Sequence, residues 1–218
     1  MTAMISDELF NYAEEHSTPE YPYLERLNRE TNLKQVYPHM LAGHMQGMLL
    51  RFISQMIRPR RILEIGTFTG YSAINMALGL QSTSWEDGLL HTIEVEAEQE
   101  VYIRKYLSES GLEKRINLHI GDAMTIIPTL DETWDLVYID ADKPNYLNYY
   151  KLVFDRVRPG GFILADNALW DGKVLNPSAR SRDTKGIIDF NEFVMNDERV
   201  ENLLLPFRDG LMIVRKNV

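Results

Sequence analysis

Two aspartates and an asparagine, each placed where an apolar run ends, carry the first chemical suggestion in the sequence. "DLVYIDADKP" (135–144) reads as a buried strand, Leu136 to Ile139, followed by Asp140, Asp142 and Lys143. "GGFILADNALW" (160–170) repeats the pattern and ends in Asp166-Asn167. Carboxylates at the mouth of an apolar strand are costly to desolvate unless something compensates them. Asp140, Asp166 and Asn167 offer two carboxylates and an amide oxygen without His or Cys, a set suited to Mg2+ or Ca2+ and unlike a zinc site. So few protein ligands leave positions for water and substrate, which favours Mg2+. The competing reading is structural: Asp166-Asn167 as a turn, and Asp140 as an ion-pair partner of Lys143. Either aspartate alone would leave that reading standing; together they favour the metal.

Three further motifs end strands in acids. In "LEIGTFTGYS" (63–72), Gly66 and Gly70 bracket a tight strand-to-helix turn where backbone must approach a ligand closely. Phe68 stands where the dinucleotide pattern G-x-G-x-x-G has its second glycine, which disfavours a pyrophosphate and therefore NAD or FAD. Glu64, just before the turn, strengthens the case for a nucleoside ligand lacking phosphates. In "HTIEVE" (91–96), Glu94 can accept both hydroxyls of a ribose, while Glu96 suits the N-terminus of the next helix. In "IGDA" (120–123), Asp122 either meets an adenine edge or caps the following helix, and the two roles are compatible.

The elements that must position these residues follow from periodicity. Strands are expected at 61–65, 89–94, 116–120, 135–140 and 161–166, separated by helices at roughly 71–80, 97–110, 123–129 and 145–157. Leu49, Leu50, Ile53 and Ile57 share one side of a helix over 41–57, and the first 35 residues read as helices broken near Thr18-Pro19 and Tyr21-Pro22. A helix at 184–196 precedes strands at 200–205 and 211–214, joined by a short turn that only antiparallel neighbours can use. The expected fold is α/β: a Rossmann-like, doubly wound, mostly parallel seven-stranded sheet with an antiparallel last strand and helices on both faces. Ligands bind beyond the carboxyl ends of such strands, where Glu64, Glu94, Asp122, Asp140 and Asp166 all fall.

Composition sets the outer bounds. The 218 residues, 44% hydrophobic and 25% charged, suffice for one well-buried domain, read as a helical extension (1–36) and a catalytic core (37–218). Without cysteine there are no disulfides, thiolate metal sites or cysteine nucleophile. No leader or membrane span is expected, so the default location is cytoplasmic. A net charge of -9 disfavours general nucleic-acid or anionic-membrane binding. An acidic N-terminus (1–34) and a basic loop with Lys173, Arg180, Arg182 and Lys185 read as solvated surface, although the loop could touch an anionic part of a substrate.

The sequence resembles the cation-dependent group of class I S-adenosylmethionine-dependent O-methyltransferases: the catechol and caffeoyl-CoA enzymes and their small bacterial relatives. The resemblance runs from about Tyr37 to the C-terminus, on "PHMLAGHMQGMLL", "LEIGTFTGYSA", "TIEVE", "GDA", "YIDADKPNYLNYY", "PGGFILADNALWDGKV" and "LLPFRDGLMIVRK". It implies that Glu64, Gly66, Thr67 and Ser72 hold the methionine part of the cofactor, with Met40 and Ala42 close by. Glu94 would bind the ribose, and Asp122 with Ala123 would edge the adenine. Asp140, Asp166 and Asn167 match the family's metal ligands for Mg2+, or another divalent ion such as Mn2+ or Ca2+. Asp140 and Asp142 would also touch the cofactor. Lys143 matches the proposed general base, and Trp170 an aromatic wall of the acceptor pocket. The implied reaction methylates a hydroxyl of a catechol-like or hydroxycinnamoyl-type small molecule, with residues 1–36 and 170–185 shaping acceptor choice and a homodimer as the assembly. Rival readings are a tRNA hydroxyuridine O-methyltransferase and a non-catalytic S-adenosylmethionine-binding protein.

Overall fold

Five aliphatic segments pair side by side and in parallel in the computed structural model, which describes residues 6–80, 88–176 and 181–218. They are β1 (Arg61–Ile65), β2 (Leu89–Glu94), β3 (Ile116–Ile120), β4 (Trp134–Ile139) and β5 (Val157–Ala165). Two more, β6 (Val200–Leu205) and β7 (Leu211–Lys216), complete a seven-stranded sheet in the order β3-β2-β1-β4-β5-β7-β6. β7 runs antiparallel to both its neighbours, as the short 206–210 turn requires. From β1 the chain winds outward through β2 to β3, then returns to place β4 on the other side of β1. The crevice beyond β1 and β4 is therefore the topological switch point.

Side chains alternate across the sheet, so each face buries its own layer. Ile62, Leu90, Leu136, Tyr138 and Leu164 pack under α2 (Pro22–Lys34), α3 (Gly43–Ile57), α4 (Tyr71–Ala77) and α5 (Glu100–Ser110). Leu63, Ile65, Val137, Ile139 and Ile163 pack under α6 (Ala123–Ile126), α7 (Tyr146–Phe154) and α8 (Arg182–Met195). Helix α1 (Asp7–Glu15) lies before α2. Among the described residues no helix is long and apolar enough to cross a membrane.

Several boundaries differ from expectation. The helix expected to reach residue 80 stops at Ala77, where the Gly79 and Leu80 N–H groups turn back to Met76 O and Ala77 O; Gly79 there passes so close to α3 that a Cβ would meet Ser54 Oγ. The helix expected over 145–157 ends at Phe154, and β5 begins at Val157 instead of 161. Pro159-Gly160-Gly161 reads as a breaker, yet Val157 pairs with Trp134 and a register shift before Leu136 absorbs the irregularity. The 97–110 and 123–129 helices each split into an α-helix and a single 3-10 turn. Of the basic loop, Lys173, Arg182 and Lys185 are exposed, and Arg180 lies outside the described residues.

The N-terminal region is more than an appendage. Leu24 and Leu27 of α2 are buried in the first core layer, and Thr31 is fully buried, donating to Thr69 Oγ1 at 3.4 Å. Thr69 belongs to the glycine turn after β1, so α2 braces the segment that the sequence assigns to the cofactor.

Candidate active site

The turn after β1 is shaped by how closely β4 passes it. Gly66 has φ +97°, and a Cβ there would sit 2.0 Å from the Asp140 carbonyl oxygen, so only glycine fits. Phe68 takes a glycine-like left-handed conformation (φ +51°) and is held by its N–H donating to Glu94 Oε2 at 2.7 Å. The glycine of the dinucleotide pattern is replaced, but its backbone geometry persists. Gly70 (φ +89°) then starts α4, which carries Ser72 in its first turn.

Glu64 lies beneath this turn with no solvent exposure. Thr92 donates to its Oε2 at 2.5 Å and shares a 2.5 Å hydrogen bond with Thr67, while Oε1 has no hydrogen-bond partner. Burial pushes the Glu64 carboxyl up to about 8, against the opposing pull of the Ser72 and Thr92 hydroxyls. On the neighbouring strand, Glu94 accepts from the Phe68 and Glu96 backbone N–H groups, at 2.7 and 2.9 Å, so its carboxylate is fixed at the edge of the crevice. The Gly121 N–H donates to the Glu94 carbonyl at 2.8 Å and brings the end of β3 alongside. There Asp122 caps α6, accepting from the Met124 N–H at 2.8 Å while remaining exposed, and Ala123 is buried. Met40 is half exposed, and Ala42 lies at the start of α3. Glu64, Gly66, Thr67, Ser72 and Glu94 thus gather around one turn, with Asp122 and Ala123 on the adjoining strand end.

The second half of the site lies beyond β4 and β5. Ile139 pairs with Ala165, so the next residues, Asp140 and Asp166, leave adjacent strands at the same level. The Asp140 N–H donates to Ile65 O and the Asp166 N–H to Ile139 O, which ties both turns to the sheet. Lys143 reaches Asp140 Oδ1 at 3.1 Å and the Tyr146 hydroxyl at 2.7 Å. Asp166 is buried; its Oδ1 accepts from the Asn167 N–H, and its Oδ2 accepts from Gln46 Nε2 at 2.6 Å and the Tyr138 hydroxyl at 3.2 Å. Burial and the neighbouring Asp140 charge push the Asp166 carboxyl up to about 6. Asn167 adopts φ +55° and donates through Nδ2 to Asp209 at 3.1 Å. Asp142 gives both oxygens to protein partners, Tyr149 Oη at 2.5 Å and Asn145 Nδ2 at 2.6 Å. The Trp170 ring lies 5.8 Å from Lys143 Nζ and 5.2 Å from Lys173 Nζ, which puts it against the acid corner.

Both structural alternatives weighed from sequence are therefore present: Asp140 does pair with Lys143, and Asp166-Asn167 does form a turn. Neither accounts for a buried Asp166 carboxyl pushed up by burial and by the Asp140 charge beside it. Among the described residues no three His, Cys, Asp or Glu side chains are arranged to hold a metal ion; the set here is two aspartates and an amide.

Gln46, Tyr138, Tyr146, Arg208 and Asp209 support the site without having been singled out from sequence. Gln46 had a readable signal, since it falls on the same helical side as Leu50 and Ile53, a polar residue at a core position. Arg208 and Asp209 had only the turn between two strands.

A sheet with this order, a glycine turn at its switch point and an acid at the end of the next strand defines a nucleoside-binding fold of the Rossmann-like class. The O-methyltransferase family model matches residues 14–217, which takes in α2 as well as the motifs that begin near Tyr37. The chain is 34% identical over 216 residues to catechol O-methyltransferase domain-containing protein 1 of Mus musculus, covering 95% of this chain and 79% of that protein. It is 30% identical to caffeoyl-CoA O-methyltransferase 2 of Populus trichocarpa, covering 97% and 89%. Among solved structures, the O-methyltransferase TomG of Streptomyces achromogenes, in complex with SAM, superposes with a TM-score of 0.91 at 28% identity over 100% of both chains. The chain belongs to this O-methyltransferase family, the class I S-adenosylmethionine-dependent O-methyltransferases.

Proposed function

We propose that the protein moves a methyl group from S-adenosylmethionine to one hydroxyl of a catechol-like or hydroxycinnamoyl-type small molecule, and that it needs a divalent cation, Mg2+ first, to do so. The observation that carries the reading is the corner formed by Asp140, Asp166 and Asn167 with Lys143 beside it, at the mouth of the switch-point crevice. A hard cation fits that donor set, because burial and the Asp140 charge both disfavour the ionised form of Asp166, and a cation between the two would offset that cost. The cofactor fits the other half. Glu64 Oε1, buried and without a partner, is an acceptor suited to the cofactor's methionine ammonium, and Glu94 offers carboxylate lone pairs at the strand end where a ribose would sit.

When bound, the cofactor supplies an electrophilic methyl group, and the cation acidifies and holds a phenolic hydroxyl that alone titrates near pH ~10. The chain's own groups do the rest. Glu64, Gly66, Thr67, Ser72 and Glu94 fix the donor, with Met40, Ala42, Asp122, Ala123 and Asp142 at its edges. Asp140, Asp166 and Asn167 would hold the ion, and an acceptor ring with two adjacent hydroxyls is the class that would suit it. Lys143 Nζ, held between Asp140 Oδ1 at 3.1 Å and the Tyr146 hydroxyl at 2.7 Å, is the group placed to take the departing proton. Trp170 covers the acceptor ring and excludes water from that side. We also take the protein to act in the cytoplasm as a homodimer.

The test is an acceptor screen: catechols, caffeoyl esters and hydroxyuridine-containing tRNA, each with and without Mg2+. Methylated catechol or caffeoyl product only with Mg2+ is the expected result. Product on tRNA alone would move the acceptor class to RNA. Methylation undiminished without any divalent ion would overturn the cation requirement.

A further inference from the structure

The turn between β6 and β7 holds a polar arrangement that the reaction as described does not use. Arg208 and Asp209 lie next to each other in it, Arg208 in the left-handed region at φ +51°. Arg208 Nη1 donates to Gln46 Oε1 at 2.7 Å. The same Gln46 amide, 3% exposed, donates through Nε2 to Asp166 Oδ2 at 2.6 Å and reaches the Tyr138 hydroxyl at 3.1 Å. Arg208, a pure donor, can engage only the oxygen of Gln46, so the amide nitrogen is the end turned to Asp166.

Asp209 does the corresponding task for the neighbouring residue. Its Oδ2 accepts from Asn167 Nδ2 at 3.1 Å and its Oδ1 from the Asp171 N–H at 2.5 Å. A carboxylate can only accept, so Asn167 must offer it the nitrogen. That leaves Asn167 Oδ1, the one atom of the side chain able to ligate a cation, free to face elsewhere. The backbone reinforces the contact: Leu169 N–H donates to Asp209 O at 2.8 Å and Ala168 N–H to Gly210 O at 3.0 Å. The approach is so close that a Cβ at Gly210 would lie 2.5 Å from Leu169 Cγ.

We infer that the β6–β7 turn is the positioning element of the cation corner: Arg208 through Gln46 orients Asp166, and Asp209 orients Asn167. The inference rests on the cation reading proposed above, and it assigns the outer partners of the ion's ligands to one turn far away in sequence. Groups that orient metal ligands typically change affinity by about 10- to 100-fold when lost.

The test measures Mn2+ affinity by electron paramagnetic resonance, with S-adenosylmethionine affinity by calorimetry and the thermal midpoint on the same samples. Asp209→Asn is the main variant. An asparagine has one acceptor oxygen where two donors must be met, so it cannot serve both Asn167 and Asp171. Gln46→Met removes the other relay without leaving a charge, and Arg208→Lys keeps a donor able to reach Gln46. Expected are about 10- to 100-fold weaker Mn2+ binding in Asp209→Asn and Gln46→Met and a smaller loss in Arg208→Lys, with S-adenosylmethionine affinity within about threefold of wild type. Wild-type Mn2+ affinity in both Asp209→Asn and Gln46→Met would overturn the inference while leaving the cation reading intact. Parallel loss of Mn2+ and S-adenosylmethionine affinity would also overturn it, as the mark of general loosening. No Mn2+ binding by the wild-type protein would sink the cation reading, and this inference with it.

Discussion

Replacing Glu64 by Gln should remove most of the pH dependence that this residue imposes on the ligand-free fold. Glu64 is wholly buried, and its carboxyl is pushed from the ordinary 4.5 up to about 8. Between those values the unfolded chain has lost the proton at residue 64 while the folded chain retains it. The folded state then binds one proton more, so stability is fully present below about 4.5 and falls as pH rises toward 8. One proton corresponds to about 1.4 kcal/mol per pH unit, which over that window is on the order of 5 kcal/mol. Gln keeps an oxygen for Thr92 and carries no charge, so it lacks this slope. The assay is urea unfolding of both proteins from pH 5.0 to about 9.5, free of cofactor and with chelator present. Asp166 titrates in both chains, and subtraction cancels its share. Wild-type stability minus that of Glu64→Gln should fall by about 1.4 kcal/mol per pH unit between pH ~5.5 and ~7.5 and level off above pH ~8.5. A difference that stays flat across the range would refute the reasoning.

Gly66→Ala should lower stability by about 3 kcal/mol or more, since its Cβ would meet the Asp140 carbonyl oxygen at 2.0 Å and neither strand end can retreat. Thermal melts and soluble yield check it, and a wild-type midpoint would contradict the close approach. Leu27→Ala should cost about 2–5 kcal/mol, because α2 contributes a fully buried side chain to the first core layer. If urea unfolding shows under about 0.5 kcal/mol, α2 is an appendage after all. Lys143→Met should cut turnover by about 10²- to 10⁴-fold with cofactor affinity retained, measured by turnover assays beside calorimetry. Unchanged turnover would reduce Lys143 to the ion pair it makes with Asp140.

How much of this was legible in the sequence depended on the range of the interaction. The five parallel strands and the acids at their ends announce themselves locally, through runs such as Leu136 to Ile139 followed at once by Asp140. Asp122 as a helix cap is equally local. Close approaches and strand ends that involve a distant neighbour were not readable, as where Gly79 must pass Ser54 and where Val157 finds Trp134. The supports of the acid corner are farther still. Gln46 meets Asp166 across 120 residues of chain and Arg208 across 162, so no local pattern marks either contact. Phe68 is a middle case. Its identity argued against a pyrophosphate, but only the structure shows it holding glycine's backbone conformation, fixed by Glu94.

The account stands or falls on whether methyl transfer depends on a divalent cation held at the Asp140, Asp166 and Asn167 corner. The direct measurement is mass-spectrometric yield of O-methylated product from a 3,4-dihydroxyphenyl acceptor and S-adenosylmethionine, in EDTA, after excess Mg2+ is restored, and with Asp166→Ala. The prediction is product with Mg2+, none in EDTA, recovery on restoration, and none from Asp166→Ala although that variant still binds the cofactor. Full product in EDTA, or from Asp166→Ala, would contradict it.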